Sequence, residues 1–170
     1  MRRRVLIIDD DPAVRASISR VLQAAGYDVA TAGNAQDATV RFGSESIDLV
    51  LLDLNLPPES GWDVFERLSA RLPLVPIIII TGMTNQARTA LAAGVGALFE
   101  KPIEVPALLE TMDQLFAESP ETRLRRMCGY QDDTRIVRSQ QHGGLANSTD
   151  EAPAVQRRPW SRRLECRRGK

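Results

Sequence analysis

LVLLD at residues 49–53 runs directly into LNLPPESG at residues 54–61, and this stretch decides the predicted fold. Four consecutive apolar residues that end in a carboxylate indicate a strand buried on both faces, which is typical of a parallel sheet covered by helices. The prolines and the glycine that follow indicate a loop. The sequence therefore predicts that Asp53 lies at the end of a central strand.

Short aliphatic runs on both sides of this strand alternate with amphipathic stretches, which is the pattern of repeated strand and helix units. Asp11, Asn34 and Ser60 are predicted to cap helices, and Pro12 favours the first helical position after Asp11. We therefore expect an α/β fold with a doubly wound parallel sheet of five strands. The predicted strands are Val5–Ile8, Tyr27–Ala32, Leu49–Asp53, Pro76–Thr81 and Ala97–Glu100, and the last two predicted helices are Asn85 to Ala93 and Glu104 to Phe116.

Charge divides the chain into two parts. The 170 residues have no net charge, but there are 10 basic and 16 acidic residues up to Ser119, then 12 basic and 6 acidic residues beyond it. Hydrophobic periodicity also ends near Ser119. We therefore expect one domain over residues 1–119 and a basic tail over residues 120–170, with at most one short helix and disorder from about Gly129 onward.

The amino-terminal sequence MRRRVLIIDDDP has an apolar run of only four residues before three aspartates, which is too short for a signal peptide. No stretch of the sequence approaches the length needed to cross a membrane. We therefore expect a cytoplasmic protein.

Polar side chains follow the predicted strands at the point where each strand ends. Asp9 and Asp10 follow the first strand, Asp53 ends the third, Thr81 ends the fourth, and Lys101 follows the fifth. In an open parallel sheet, ligands bind beyond this edge. Adjacent carboxylates repel each other, and Mg²⁺ is a cation that binds such oxygen ligands. The sequence therefore predicts a magnesium site here.

The same residues predict phosphoryl transfer. A carboxylate can attack phosphorus and form an acyl phosphate when a metal ion and a cation offset the growing charge. Lys101, whose direction is fixed by Pro102, supplies the cation, and the Thr81 hydroxyl beside Gly82 can contact a phosphoryl oxygen. Each residue taken alone has an ordinary explanation as a turn cap, a surface charge or a strand former.

The motifs VLIIDDDP, LVLLDLNLP, PIIIITG and FEKP, in this order and at these intervals, resemble those of the receiver domains of bacterial response regulators. The resemblance covers residues 4–118. It implies a flavodoxin-like sheet of strand order 2-1-3-4-5. It also implies a two-component phosphorelay, in which a histidine kinase or a phosphotransfer protein donates a phosphoryl group and an output partner recognises the result.

The resemblance assigns roles to individual residues. It implies that Asp53 accepts the phosphoryl group, that Asp10 binds Mg²⁺ directly, and that Asp9 binds it largely through water. Asn55 would contribute its backbone carbonyl, Lys101 would pair with the phosphoryl group, Thr81 would be the switch residue, and the bond before Pro102 would be cis.

One position departs from the family. Three residues before Lys101 the family often has Tyr or Phe, whereas this chain has Leu98, with Phe99 as the nearby aromatic residue. A coupled movement of Thr81 and this side chain would involve a smaller volume change and no hydroxyl. We expect the phosphorylation chemistry itself to be unaffected.

Three alternatives for the output remain open. An aspartyl phosphatase or phosphotransferase needs a second acid two residues after the nucleophile, and Asn55 occupies that place, so we expect a switch and not a dedicated enzyme. DNA binding would depend on the basic cluster RRPWSRRLECRRGK, but the tail lacks a paired-helix pattern. We favour binding to a partner protein, with a homodimer as a further option. His142 in the tail gives no reason to expect a kinase on this chain.

Overall fold

The protein is described here by a computed structural model that covers residues 2–128 and 134–137. The chain alternates between strands and helices through most of its length. The strands are β1 (Arg4–Ile8), β2 (Asp28–Ala32), β3 (Leu49–Asp53), β4 (Asn55–Leu56), β5 (Glu59–Ser60), β6 (Ile77–Thr81), β7 (Ala97–Glu100) and β8 (Arg135–Val137). The helices are α1 (Pro12–Ala24), α2 (Ala35–Ser44), α3 (Gly61–Arg71), α4 (Ala87–Ala93), α5 (Val105–Ala117) and α6 (Pro120–Met127).

Six of these strands form one parallel sheet of order β2-β1-β3-β6-β7-β8, and β4 and β5 form a separate antiparallel pair. Without β8, the sheet has the predicted doubly wound order 2-1-3-4-5. The predicted α/β fold is therefore confirmed. The predicted strand bounds differ from the observed ones by one residue at most.

The sixth strand, β8, is a correction to the expected five-stranded sheet and disordered tail. It pairs parallel with β7, so that Leu98 lies opposite Ile136. Ile136 packs against the core on one face of the sheet and Val137 against the core on the other. The short sequence RIV can therefore form a strand because its neighbour supplies the backbone partners and both faces supply apolar contacts. Thr134, just before β8, is also described, and its hydroxyl donates a hydrogen bond to the Val95 carbonyl oxygen at 3.1 Å. The other residues predicted to be disordered lie outside the described part of the chain.

Helix α6 is the short helix expected after Ser119, but it is packed against the domain. The Arg123 guanidinium donates hydrogen bonds to the carbonyl oxygens of Leu74, at 2.8 Å, and Leu115, at 2.7 Å. Arg126 is only 3% exposed. The compact unit therefore continues beyond the predicted boundary at residue 119 and includes α6 and β8.

The sheet separates two apolar cores, because successive side chains of each buried strand point to opposite faces. Helices α1 and α5 cover one face, and α2, α3 and α4 cover the other. The first core contains Leu22, Leu108, Met112 and Leu115 from its helices, and the second contains Ala38, Phe42, Val64, Phe65, Leu68 and Ala90. This two-sided cover accounts for the continuous apolar runs LVLL and IIII.

Helix α1 begins immediately beyond β1, and its start is fixed by the predicted cap. The Asp11 carboxylate accepts hydrogen bonds from the backbone N–H groups of Ala13 and Val14, at 2.7 and 3.4 Å. Asn34 and Ser60 cap α2 and α3 in the same way. No helix among the described residues is long and apolar enough to span a bilayer.

Candidate functional site

Three carboxylates meet at the carboxyl end of the sheet. Asp9 and Asp10 follow β1, and Asp53 ends β3, which is the parallel neighbour of β1. One carboxylate oxygen of each residue lies within 4.8 Å of the others. Asp9 and Asp53 are 3% and 5% exposed, whereas Asp10 is exposed. The topology thus brings the three predicted acids together at the mouth of the sheet.

Lys101 bridges two of these acids. Its Nζ lies 2.6 Å from Oδ2 of Asp53 and 3.1 Å from Oδ2 of Asp9. Its backbone N–H donates to the carbonyl oxygen of Thr81 at 2.8 Å, and the bond to Pro102 is cis. The lysine therefore reaches the cluster from a backbone that is tied to the neighbouring strand.

The electrostatics of the site reflect burial and the contacts of Lys101. Burial raises the pKa of the Asp9 carboxyl, although hydrogen bonds from the Asp11 backbone and from Lys101 act in the opposite direction. Burial alone would lower the pKa of Lys101, but its hydrogen bonds to Asp53 and Asp9 outweigh this effect and raise it. Lys101 is consequently a stable cation at neutral pH.

The second oxygen of each buried carboxylate is held by the backbone. Oδ1 of Asp9 accepts from the N–H of Asp11 at 2.9 Å, and Oδ1 of Asp53 accepts from the N–H of Asn55 at 3.0 Å. Each carboxylate is thereby fixed between a backbone donor and Lys101. Such fixed orientation is what a site for metal binding or nucleophilic attack requires.

Thr81 lies at the same edge of the sheet, and Leu98 does not. The Thr81 side chain is fully buried, and its Oγ1 accepts a hydrogen bond from the N–H of Met83 at 3.0 Å. Leu98 is buried within β7, between Ile79 of β6 and Ile136 of β8. The position that the resemblance associates with an aromatic switch is therefore part of the core, and β8 pairs with its strand on the outer side.

Gly61 is a site residue that the sequence reasoning missed. Its N–H donates to the Leu54 carbonyl at 3.0 Å. A Cβ atom at this position would lie 2.4 Å from the Asp53 carbonyl oxygen and 2.4 Å from Cα of Leu54. Only glycine permits this close approach of α3 to the loop after Asp53. In the sequence, Gly61 indicated no more than a loop.

Arg15 is a second residue that was missed. Its Nη1 donates hydrogen bonds to the backbone carbonyl oxygens of Asp9, at 2.6 Å, and Asp10, at 3.1 Å. In the sequence, Arg15 is simply a polar residue in the first turn of a predicted helix. Its contact depends on how α1 folds back beside the end of β1, which the sequence pattern does not specify.

Comparison with known proteins decides the family. The family model of the response regulator receiver domain matches residues 5–113. This chain belongs to that family. The match includes all the site residues described above, so we interpret them as residues of a response regulator receiver domain.

Curated relatives are also response regulators. The chain is 32% identical over 154 residues to the response regulator protein PilR of Pseudomonas aeruginosa, which covers 86% of this chain and 34% of PilR. It is 38% identical over 97 residues to the DNA-binding response regulator MtrA of Mycolicibacterium smegmatis, which covers 57% of this chain and 42% of MtrA. The chain thus spans less than half the length of these relatives.

Solved structures agree with the fold. A CheY-like receiver domain protein from Methanospirillum hungatei has a TM-score of 0.66 at 30% identity, with 71% of this chain and 98% of that chain covered. The response regulator TrrA from Thermotoga maritima, solved in complex with Mg²⁺ and BeF, has a TM-score of 0.62 at 30% identity, with 66% and 98% covered. The similarity to these structures and the strand order of the sheet therefore identify the same receiver fold.

Proposed function

We propose that this receiver accepts a phosphoryl group on Asp53 with the help of Mg²⁺. The observation that carries the proposal is the placement of the Asp53 carboxylate, which is buried, held by the Asn55 backbone, and 2.6 Å from the Lys101 ammonium. A carboxylate in this setting is fixed for attack, and the lysine offsets the charge that develops on the transferred group.

The proposed step forms one bond and breaks one. An Asp53 carboxylate oxygen attacks the phosphorus atom of a phosphohistidine, and an acyl phosphate forms. The bond between phosphorus and the imidazole nitrogen breaks, its electron pair stays on the nitrogen, and the nitrogen takes a proton from solvent. Attack of water on the acyl phosphate later releases inorganic phosphate and restores the Asp53 carboxylate.

The donor set fits Mg²⁺. The carboxylates of Asp9, Asp10 and Asp53 present oxygen atoms within 4.8 Å of one another, and oxygen ligands are those that Mg²⁺ prefers. The backbone carbonyl of Asn55 would complete the protein ligands, with Asp9 acting largely through water. When bound, the ion would neutralise charge between the carboxylates and the phosphoryl oxygens. The complex of the relative TrrA with Mg²⁺ and BeF supports this assignment.

Thr81 and Lys101 are proposed to read the phosphorylated state. The Thr81 hydroxyl would turn from its contact with Met83 N–H toward a phosphoryl oxygen, while Lys101 would pair with the phosphoryl group. Leu98 is fully buried, and Ile136 of the adjacent strand β8 lies opposite it, which leaves little room for the coupled movement that an aromatic side chain makes in other receivers. We therefore propose that the switch depends mainly on Thr81 and its loop.

The proposed partners are a histidine kinase or phosphotransfer protein as donor and a protein as output. Asn55, in place of the general acid that an aspartyl phosphatase needs, supports a switch over a dedicated enzyme. DNA binding through the basic tail is the alternative, and the similarity to DNA-binding MtrA is the observation in its favour. A gel shift that disappears with added salt would indicate non-specific contact of the tail with DNA.

Acetyl phosphate with Mg²⁺ should label the protein once, on Asp53. Phosphate-affinity electrophoresis should show a shifted band for the wild-type protein and none for Asp53→Asn. Asp63→Asn is the matched control, because Asp63 is an exposed aspartate in the first turn of α3, and it should label normally. Normal labelling of Asp53→Asn would contradict the proposal.

A further inference from the structure

Arg15 contacts the backbone of two residues of the acid cluster, Asp9 and Asp10, although the proposed phosphoryl transfer gives it no role. It is in the first turn of α1, where its backbone N–H donates to the Asp11 carbonyl at 3.1 Å. From there the side chain returns toward β1, and Nη1 binds the two consecutive carbonyl oxygens of Asp9 and Asp10, at 2.6 and 3.1 Å. One guanidinium thus holds both peptide groups that carry the predicted metal ligands.

A regular extended backbone would not direct the side chains of Asp9 and Asp10 to the same site. Side chains of consecutive residues in an extended strand point in opposite directions. Asp9 is buried and Asp10 is exposed, yet both carboxylates lie within 4.8 Å of an oxygen of Asp53. The backbone must therefore turn at Asp9 and Asp10. Two carbonyl groups directed at one guanidinium fix that turn, because the planar guanidinium holds its donors rigidly.

Gly33 provides the space for this guanidinium. It follows β2, the strand beside β1. A Cβ atom at Gly33 would lie 3.2 Å from Nη1 of Arg15, which is tighter than ordinary contact, and 3.4 Å from its Cζ. The guanidinium therefore lies between the end of β1 and the residue after β2, where a side chain at position 33 would crowd it.

We propose that Arg15 is a positioning residue for Mg²⁺ binding. Its guanidinium holds the turn at Asp9 and Asp10 so that both carboxylates face the ion. This inference rests on the proposed function. A role of charge alone predicts the opposite sign of effect, because removing a cation near a metal site would strengthen Mg²⁺ binding. A positioning role predicts weaker binding, as is found when groups that orient metal ligands are removed.

Calorimetric titration with Mg²⁺ tests the proposal on the folded chain of 170 residues. Arg15→Met should weaken Mg²⁺ affinity about tenfold. Arg15→Lys should recover part of the loss, because an ammonium can bind one carbonyl. Arg20→Met is the matched control, since it removes an exposed arginine from the same helix, and it should change affinity less than about twofold. Unchanged or tighter binding by Arg15→Met would overturn the proposal.

Gly33→Ala provides a second test that does not depend on the folding of Arg15→Met alone. The added methyl should shift the guanidinium by a few tenths of an ångström away from its carbonyl partners and weaken Mg²⁺ binding in the wild-type background. The same change should have no further effect when Arg15 is already Met, because the two residues act through one contact. Equal effects in both backgrounds would overturn the proposal. Failure of the wild-type protein to bind Mg²⁺ would overturn the proposed function as well. If the wild-type protein binds Mg²⁺, a negative result with the variants overturns only the role of Arg15.

Discussion

Buried charges occur in two regions of this receiver, and the two regions treat them differently. Next to α6, both carboxylate oxygens of Glu118 accept hydrogen bonds from Arg126, at 2.6 and 2.9 Å, and the two side chains are 6% and 3% exposed. At the carboxyl end of the sheet, three carboxylates lie within 4.8 Å of one another, and the ammonium of Lys101 contacts two of them, Asp9 and Asp53. The guanidinium of Arg15 there is directed at backbone carbonyls and not at the carboxylates.

The difference separates a structural contact from the proposed Mg²⁺ site. At Glu118 and Arg126, a carboxylate meets a guanidinium with two matched hydrogen bonds, so its charge is compensated within the fold. At Asp9, Asp10 and Asp53, negative charge exceeds the positive charge that contacts it, and an added cation would relieve the repulsion. Changes in the two regions should therefore have different effects on stability and on ligand binding.

The largest expected effect on stability is in the structural region. Arg126→Met should lower the free energy of unfolding by about 3 kcal/mol, because it removes both matched hydrogen bonds from the buried Glu118 carboxylate and leaves only the more distant Arg123, whose Nε lies 3.7 Å from Oε2. Urea unfolding measures this loss. Arg20→Met, at an exposed position on α1, should cost less than about 0.5 kcal/mol. Labelling of Asp53 by acetyl phosphate should be unchanged in the folded fraction of Arg126→Met. A small loss of stability for this variant would mean that the ion pair is not buried in solution.

The next largest effect is expected at the contact between α3 and the phosphoacceptor strand. Gly61→Ala places a Cβ atom 2.4 Å from the Asp53 carbonyl oxygen and should destabilise the protein by about 2 kcal/mol. It should also slow labelling by acetyl phosphate, because the backbone that holds Asp53 must shift. Gly82→Ala is the control for stability, since a Cβ atom there meets nothing within 4 Å. Equal stability of the two variants in urea would contradict the prediction.

Replacing Asp10 should have a smaller effect of the opposite sign. Asp10→Asn removes one of three neighbouring carboxylates, so the protein without Mg²⁺ should become more stable by about 0.5 kcal/mol, the size of a surface charge interaction. Mg²⁺ binding should weaken at the same time. Urea unfolding with and without Mg²⁺ measures both effects. A variant that loses stability in the absence of Mg²⁺ would show that the cluster is not repulsive.

The same two regions show what sequence could predict. The sheet order and the convergence of Asp9, Asp10, Asp53 and Lys101 could be predicted, because strand ends with polar residues are marked directly in the chain and a parallel sheet brings those ends to one edge. The caps at Asp11, Asn34 and Ser60 could be predicted because capping depends on a few adjacent residues.

Contacts between distant segments could not be predicted in this way. β8 was missed because a three-residue strand has no periodicity of its own and forms only against the edge of β7. The packing of α6 depends on the hydrogen bonds from Arg126 to Glu118, a residue eight positions earlier that precedes the start of α6. Arg15 and Gly61 were missed for the same reason, since their roles arise from close approach in space and leave no local pattern.

The smallest expected effect concerns a hydrogen bond at the protein surface, between the partly buried Tyr27 and the exposed Asp113. The Tyr27 hydroxyl donates to Oδ1 of Asp113 at 2.9 Å, and its ring stacks on Phe116. Burial, followed by the hydrogen bond to Asp113, raises the pKa of Tyr27 from 10.0 to about 12. Because the folded pKa lies above the unfolded one, this contribution to stability is complete below pH 10 and is lost as the pH rises through about 12. The phenolate absorbance of wild type minus Tyr27→Phe should show that midpoint, and a midpoint near 10 would mean that the phenol is open to water and that Asp113 is not its partner in solution.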